Sequence, residues 1–318
     1  MTAVCRRIGM TPQNYYARRQ HRSRRAVDVE LLLELVRGER REQPRLGVRK
    51  VCYLIGPELK KAGVRIGRDR VFEELRKAEL LVPRKRSEWP KTTHFNENLP
   101  VFKNLDQEVT VKRRNQVWVA DITYIRTAEG FLFLALVTDR WSRKIVGAEL
   151  GKTLETGVAL RALNQGLKSL KKAERPIHHS DRGCQYASHE FVARVKKAGL
   201  RMSMTERNHS AENAMAERMN GILKQEYWLD GEFGSYQEAR QAVDHAVRLY
   251  NTRRPHWELD FKTPEQVHSG RSGGAAALRP AALRSGSLRE PPLRTAGRNA
   301  VQRQTNNKTK KYQIISRT

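Results

Sequence analysis

The chain of 318 residues is poor in the features that mark several common protein classes. It has only three cysteines, Cys5, Cys52 and Cys184, far apart and with no Cys-x-x-Cys pair. Neither a disulfide framework nor a structural zinc site is suggested, and a reducing compartment fits. Long hydrophobic runs are missing too. The longest, Phe131–Val137, is much too short to cross a bilayer, and the N-terminus has no apolar stretch of the signal-peptide kind. A soluble intracellular protein with no membrane partner is expected. Acid is the remaining scarcity: 34 Asp and Glu stand against 62 Lys and Arg, for a formal charge of +28. Such a field concentrates polyanions, which makes nucleic acid the natural partner. A lipid surface fits less well, because the basic residues are spread along the chain and form no single face of a Trp- or Phe-rich amphipathic helix.

The pattern along the chain predicts several regions. Residues 1–82 read as a small all-α region. Its first piece, two short helices around Gly9-Met10 with Thr11 as N-cap and Pro12 at the first helical position, has helix-turn-helix spacing or is a plain helical hairpin. A helix follows at about Val27–Arg41. Helices at Val48–Ala62 and Arg68–Ala78, broken at Gly63–Gly67, form a stronger helix-turn-helix candidate. Arg68, Arg70, Arg76 and Lys77 then face solvent or DNA phosphate, a plain helix pair with a solvated basic face being the other reading.

Residues 83–112, with three prolines and many charges, read as a linker. The period then shortens. Val117–Ile125, Phe131–Thr138 and Lys144–Glu149 predict an antiparallel meander, followed by alternating helices and short strands at Ile177–Ser180 and Leu200–Met204. Helices at Ala214–Tyr227 and Tyr236–Tyr250 complete a core over 113–269, an α/β mixed sheet flanked by helices. Residues 270–318 read as a basic, disordered tail, with eleven Lys or Arg after residue 270 against the single acid Glu290.

Against this basic background three acids stand out. Asp121 lies in the apolar strand "WVADITYI" (118–125), where an acid is costly unless it opens on a cleft or is paired. Asp181 follows the strand that ends at Ser180, at the carboxyl end where sites commonly form, or in a simple Asp-containing turn. Glu217 lies on "ENAMAERMNGILKQE" (212–226), where residues seven apart share a helix face. Asn213, Asn220 and Lys224 therefore accompany it, on a catalytic face or on a solvated one. Three separate carboxylates brought together would repel unless divalent cations sat among them. Hard oxygen donors suit Mg²⁺, and the chemistry that follows is phosphodiester cleavage or transfer.

Asp121, Asp181, a spacer of 35 residues and then Glu217 with Lys224 seven further on resemble the signature of retroviral-integrase-type transposases of the insertion sequence 3 family. "DRWSRKIVG" (139–147), "HSDRGCQY" (179–186), "YNTRRPH" (250–256) and "TPEQV" (263–267) match in family order, and residues 1–85 resemble the helical region of its second frame, OrfB. The resemblance implies a ribonuclease-H-like core, with Asp121, Asp181 and Glu217 as catalytic metal ligands for Mg²⁺, Mn²⁺ being able to substitute. Lys224 becomes a contact to element-end DNA. Gly183 becomes a point of close backbone approach to substrate.

By the same resemblance His178, His179, Arg182 and Tyr186 are local packing or hydrogen-bonding residues, and Asp139 is structural. "YNTRRPH" closes the core, with Arg253 and Arg254 available to phosphate. The resemblance further implies double-stranded DNA partners (element ends and target), homo-oligomers on DNA and a bacterial, nucleoid-associated location. Many relatives have Asp where Glu212 stands, and the tail is longer than usual. The first helix-turn-helix is cut short at Met1, which suggests an upstream OrfA partner or frameshift fusion. The expected activity is transposition; a catalytically inactive DNA-binding protein or a stand-alone nuclease of the ribonuclease-H type are the alternatives.

Overall fold

The computed structural model describes Cys5, Arg7 and residues 9–83, 100–206 and 212–270. Residues 84–99 of the expected linker, the expected tail from 271 on and most of the first short helix lie outside the described residues.

Helix α1 (Pro12–Glu42) starts as expected: Thr11 Oγ1 accepts from Asn14 N at 3.2 Å, and Pro12 occupies the first turn. It then runs unbroken for 31 residues, where the sequence suggested a short helix and a separate one from Val27. The stretch 17–26 has no apolar stripe, which reports exposure and not coil. Its Arg, Gln and Ala are strong helix formers, and no Gly or Pro interrupts them. Helices α2 (Val48–Lys61) and α3 (Arg68–Lys77) lie within a residue of their expected bounds. Leu32 and Val36 of α1, Val51 and Ile55 of α2, and Val71 and Leu75 of α3 make one buried cluster.

The sheet is built on β1 (Val117–Thr127), β2 (Gly130–Asp139) and β3 (Ile145–Gly151), which pair as an antiparallel meander. Helix α4 (Thr156–Lys168) leads to β4 (Ile177–Ser180), which pairs parallel to β1. Helices α5 (Cys184–Ala187) and α6 (His189–Lys197) lead to β5 (Arg201–Met204), parallel to β4. The strand order is β3-β2-β1-β4-β5, so β1 is central with antiparallel neighbours on one side and parallel ones on the other. That is the expected ribonuclease-H-like arrangement.

Alternation along β1 divides the core. Trp118 and Ala120 pack toward α4 and α6. Val117 and Val119 face the other way, onto Ala216 of α7 (Ala214–Glu226). On the α4 side a Cβ at Gly147 would stand 2.0 Å from Ala162 O, so this approach of strand to helix excludes every other residue.

Beyond α7 come a two-residue strand β6 (Glu232–Phe233) beside the end of β1, helix α8 (Tyr236–Thr252) and helix α9 (Pro264–Ser269). From residue 100 on, the stretch that reads as a linker packs on the core. Asn104 N donates to Glu206 Oε1 at 2.8 Å, Leu105 N donates to Ser203 Oγ at 2.9 Å, and Arg140 pairs with Asp106.

The α1–α3 region is tied to the core by charge and aromatic contacts. Lys50 pairs with Glu226 at 2.9 Å, Arg45 with Asp230 at 3.3 Å and Arg253 with Glu39 at 2.8 Å, while Tyr53 stacks on Phe261 with centroids 4.7 Å apart. Arg254 is buried on Glu226. Arg254 is therefore withdrawn from phosphate and holds parts of the fold together, while Arg253 pairs with Glu39 and stays exposed.

Candidate active site

Three elements meet at the middle of β1. The parallel register pairs Val119 with His179. Two residues on, Asp121 and Asp181 stand level at the carboxyl end of β4. Helix α7 crosses this point: Asn220 Nδ2 donates to Asp121 Oδ2 at 2.7 Å, and Asn213 Nδ2 donates to the Ala120 carbonyl at 3.3 Å. Glu217, between these two asparagines on the same face, is exposed. The face read from the seven-residue spacing is the one turned toward β1, and Asn220, which the sequence placed beside Glu217 without a role, is a residue that holds Asp121.

Electrostatics links the three acids. Burial pushes the Asp121 carboxyl up to about 8; the charge of Asp181 pushes the same way and that of Glu217 adds to it, against hydrogen bonds from Ile122 N and Asn220. Asp181 Oδ1 meanwhile accepts from Gly183 N at 3.0 Å. Among the described residues no three His, Cys, Asp or Glu side chains are closed around a metal-sized space. Asp121 senses the charges of the other two acids, while the three side chains are not closed around one point.

Lys224 is only 7 % exposed, and its ammonium lies among acids. Burial pulls it down to about 8, and the charges of Asp121 and Asp230 oppose that fall. Tyr186 is also buried, its hydroxyl has no hydrogen-bond partner among the described residues, and burial followed by the charges of Asp121 and Asp181 raises its pKa. The amide oxygens of Asn213 and Asn220 are buried and likewise have no partner among the described residues.

The neighbouring motif residues have the local roles expected. His178 packs against Tyr186 and Phe191, His179 Nδ1 meets Ser203 Oγ at 2.8 Å, and Arg182 Nε donates to Thr205 O at 2.6 Å. Asp139 is fully buried and accepts from Asn115 N and from both the backbone and hydroxyl of Ser142.

Gly183 shapes the Asp181 side of the site. A Cβ there would stand 3.0 Å from Asp181 Oδ1 and 3.2 Å from Gln185 Oε1, tight enough to move the carboxylate by tenths of an ångström. Gly183→Ala is expected to lower the turnover rate about tenfold while leaving the melting temperature within about 2 °C, because moving the Asp181 carboxylate by tenths of an ångström costs a reaction that uses it far more than it destabilises the turn. Single-turnover kinetics beside thermal melting checks this.

Of the basic residues read as DNA contacts, Arg68 is exposed and pairs with Asp69, and Arg76 is exposed. Arg70 and Lys77 are both drawn onto Glu73 and Glu74 of their own helix.

Two sequence models of the integrase core domain match this chain, over residues 111–210 and 198–264, and between them they span the sheet, the three acids and α8. The chain is 33 % identical over 265 residues to a 31 kDa protein of insertion element IS600 from Shigella sonnei, covering 82 % of this chain and 96 % of that protein. It is 30 % identical to the transposase of insertion sequence element IS629 from Shigella sonnei, covering 83 % of this chain and 90 % of the relative. With transposase InsF of insertion sequence IS3A from Escherichia coli it shares 36 % identity over 173 residues, 54 % of this chain and 60 % of the relative. Full-length likeness of this order, laid over an integrase-type core, means that the chain belongs to the insertion-sequence transposases of the IS3 family, enzymes of DNA integration and recombination whose core is metal-dependent.

Proposed function

We propose that this transposase cuts DNA at the ends of its element and joins them to target DNA, using divalent cations held by Asp121, Asp181 and Glu217. Mg²⁺ is the resident ion and Mn²⁺ an effective substitute. The observation that carries this reading is the Asp121 carboxyl held at about 8 by burial and by its two acidic neighbours. Such a site is short of positive charge, and its donors are all hard oxygens. The unpartnered amide oxygens of Asn213 and Asn220 fit a centre that gains water and cations.

Two bound cations would supply charge neutralisation at the phosphodiester and a nucleophile at neutral pH. The protein's own share is placement. Asn220 fixes the Asp121 carboxylate, Gly183 N orients Asp181, and α7 carries Glu217 across the middle of β1, beside the carboxyl end of β4. Lys224 offsets the acids, and we assign its contact with element-end DNA to the state in which strand phosphates compete with Asp121 and Asp230 for it. Water is the first nucleophile and the freed 3′-hydroxyl the second, each in line, with no covalent protein intermediate. Assembly as a homo-oligomer on DNA, association with OrfA and residence at the bacterial nucleoid belong to the same reading.

The test is Mg²⁺-dependent processing of a labelled element-end duplex. Cleavage with joining is expected. Cleavage alone would make the chain a nuclease, and binding alone a DNA-binding protein, and either outcome overturns the proposal.

The helical region is expected to add affinity that depends on salt. Each phosphate contact contributes about 0.9 to the slope of log affinity against log salt. Arg76→Ala should reduce that slope by about 0.9, while Arg70→Ala, whose charge is already spent on Glu73 and Glu74, should leave it nearly unchanged. A salt titration of duplex binding decides.

A further inference from the structure

Among the described residues Trp118 is a buried tryptophan, whereas Trp228 and Trp257 stand 51 % and 62 % in solvent. Core packing does not account for Trp228. Its backbone has φ +63, a left-handed conformation that a bulky side chain rarely adopts and that glycine would accept without strain. A large ring is kept at a strained turn and half of it is left in water, which is the pattern of a residue retained for binding.

Both rings are backed by guanidinium groups. The Arg45 guanidinium lies 4.0 Å from the Trp228 ring centre, and that of Arg49 lies 5.6 Å from the ring centre of Trp257. Trp257 is set edge-on against Phe261, which stacks on Tyr53 of α2. Arg49 and Arg218 are exposed and form no ion pair among the described residues. Arg218 follows Glu217 directly, and its charge is felt at Lys50, beside Arg49. Aromatic platforms interleaved with arginines therefore gather where the end of α7 meets the start of α2, and α7 itself leads from there back to Arg218 and Glu217.

We propose that this surface binds unpaired DNA. Trp228, backed by Arg45, stacks on an exposed base; Trp257 with Arg49 offers a second platform, and Arg218 meets a phosphate between the site and the rings. Stacking on an aromatic face with basic residues along the backbone is how single strands are held without regard to sequence. From Glu217 to the end of α7 is nine residues, about 14 Å of helix, or about four base steps at about 3.4 Å each. The strand gripped is thus the one entering or leaving the scissile bond. A second copy of the chain is the poorer occupant, because a two-fold contact here would bring Arg49 and Arg218 against like charges.

The inference rests on the transposase reading, and the test separates the two. Binding is measured by fluorescence anisotropy in EDTA, where no cleavage occurs, with a blunt duplex and with the same duplex carrying about five unpaired nucleotides at one end. Trp228→Ala is expected to weaken binding of the extended duplex about tenfold and to leave the blunt duplex within about twofold, with Trp228→Phe retaining most of the difference. Equal loss on both duplexes, or no loss on either, overturns the inference. So does a drop in sedimenting mass of the free protein on substitution, which would assign the rings to a protein contact. If Trp228→Ala is harmless while Mg²⁺-dependent joining proceeds, this inference alone fails. If the extension is gripped but nothing is cut or joined, the functional reading alone fails.

Discussion

Asp121→Asn is expected to leave the protein chemically inert and, in the absence of metal, harder to melt. Loss of activity should be at least about 10³-fold, since a bound cation contributes several kcal/mol of charge stabilisation at phosphorus and each 1.36 kcal/mol is about tenfold in rate. The gain in stability follows from the same carboxyl. Burial, then the charge of Asp181, pushes it up to about 8, so the folded state keeps a proton that the unfolded chain releases near 3.8. Stability of the metal-free fold therefore falls as pH rises from about 4 to about 8 and is flat above. Asparagine titrates nothing. Its single oxygen cannot serve both Ile122 N and Asn220 Nδ2, which costs about 1 kcal/mol. A rise from 3.8 to about 8 is worth on the order of 5 kcal/mol, so the balance at pH 8 is a gain of roughly 4 kcal/mol, or on the order of 10 °C. Melting in EDTA from pH 4 to 8 should show the gap opening with pH, and Mg²⁺ should raise the wild-type curve but not that of the variant. A gap that is absent, or equal at every pH, would mean that the three acids do not share a site.

The acids are legible because they violate local rules. Asp121 breaks an apolar strand, Asp181 ends one, and Glu217 opens a face that repeats every seven residues. The meander follows from periodicity, whereas the parallel pairing of β4 on β1 and of β5 on β4 is written in no period of the sequence, β4 being buried on both faces. Burial is less legible. Nothing in the helix pattern distinguishes an ammonium in water from that of Lys224, which is buried within reach of the charges of Asp121 and Asp230, because that depends on what packs over α7. Likewise α1 reads as two pieces because an exposed polar helix has no stripe to follow. Strand β6, with two residues, is too short for any period. One further signal lies within the "TPEQV" motif: Thr263 and Gln266 form a capping box that marks the start of α9, three residues apart as such a box requires.

The tandem arginines of "YNTRRPH" give the second large effect. Arg254→Met is expected to destabilise the fold by about 4 kcal/mol, the usual cost of stranding one member of a buried ion pair. Arg254 grips both oxygens of Glu226 at 2.7 and 2.8 Å, and Lys50 of α2 adds a third contact at 2.9 Å. Burial works against the Glu226 charge, but the hydrogen bond and charge of Arg254, followed by Lys50, hold its carboxyl down at about 2. A depressed acid contributes stability that is complete above its ordinary value of 4.5 and is lost as pH falls toward 2. The wild type should therefore lose stability steeply over that interval. In Arg254→Met only Lys50 opposes burial, so the acid limb flattens and the two curves converge below pH about 3. Adding Glu226→Gln to Arg254→Met removes the stranded charge and should recover about half of the loss at pH 7. If Arg254 served phosphate instead, the single variant would melt like the wild type and its defect would appear only in duplex binding, so chemical denaturation at pH 7 beside a binding titration separates the two roles.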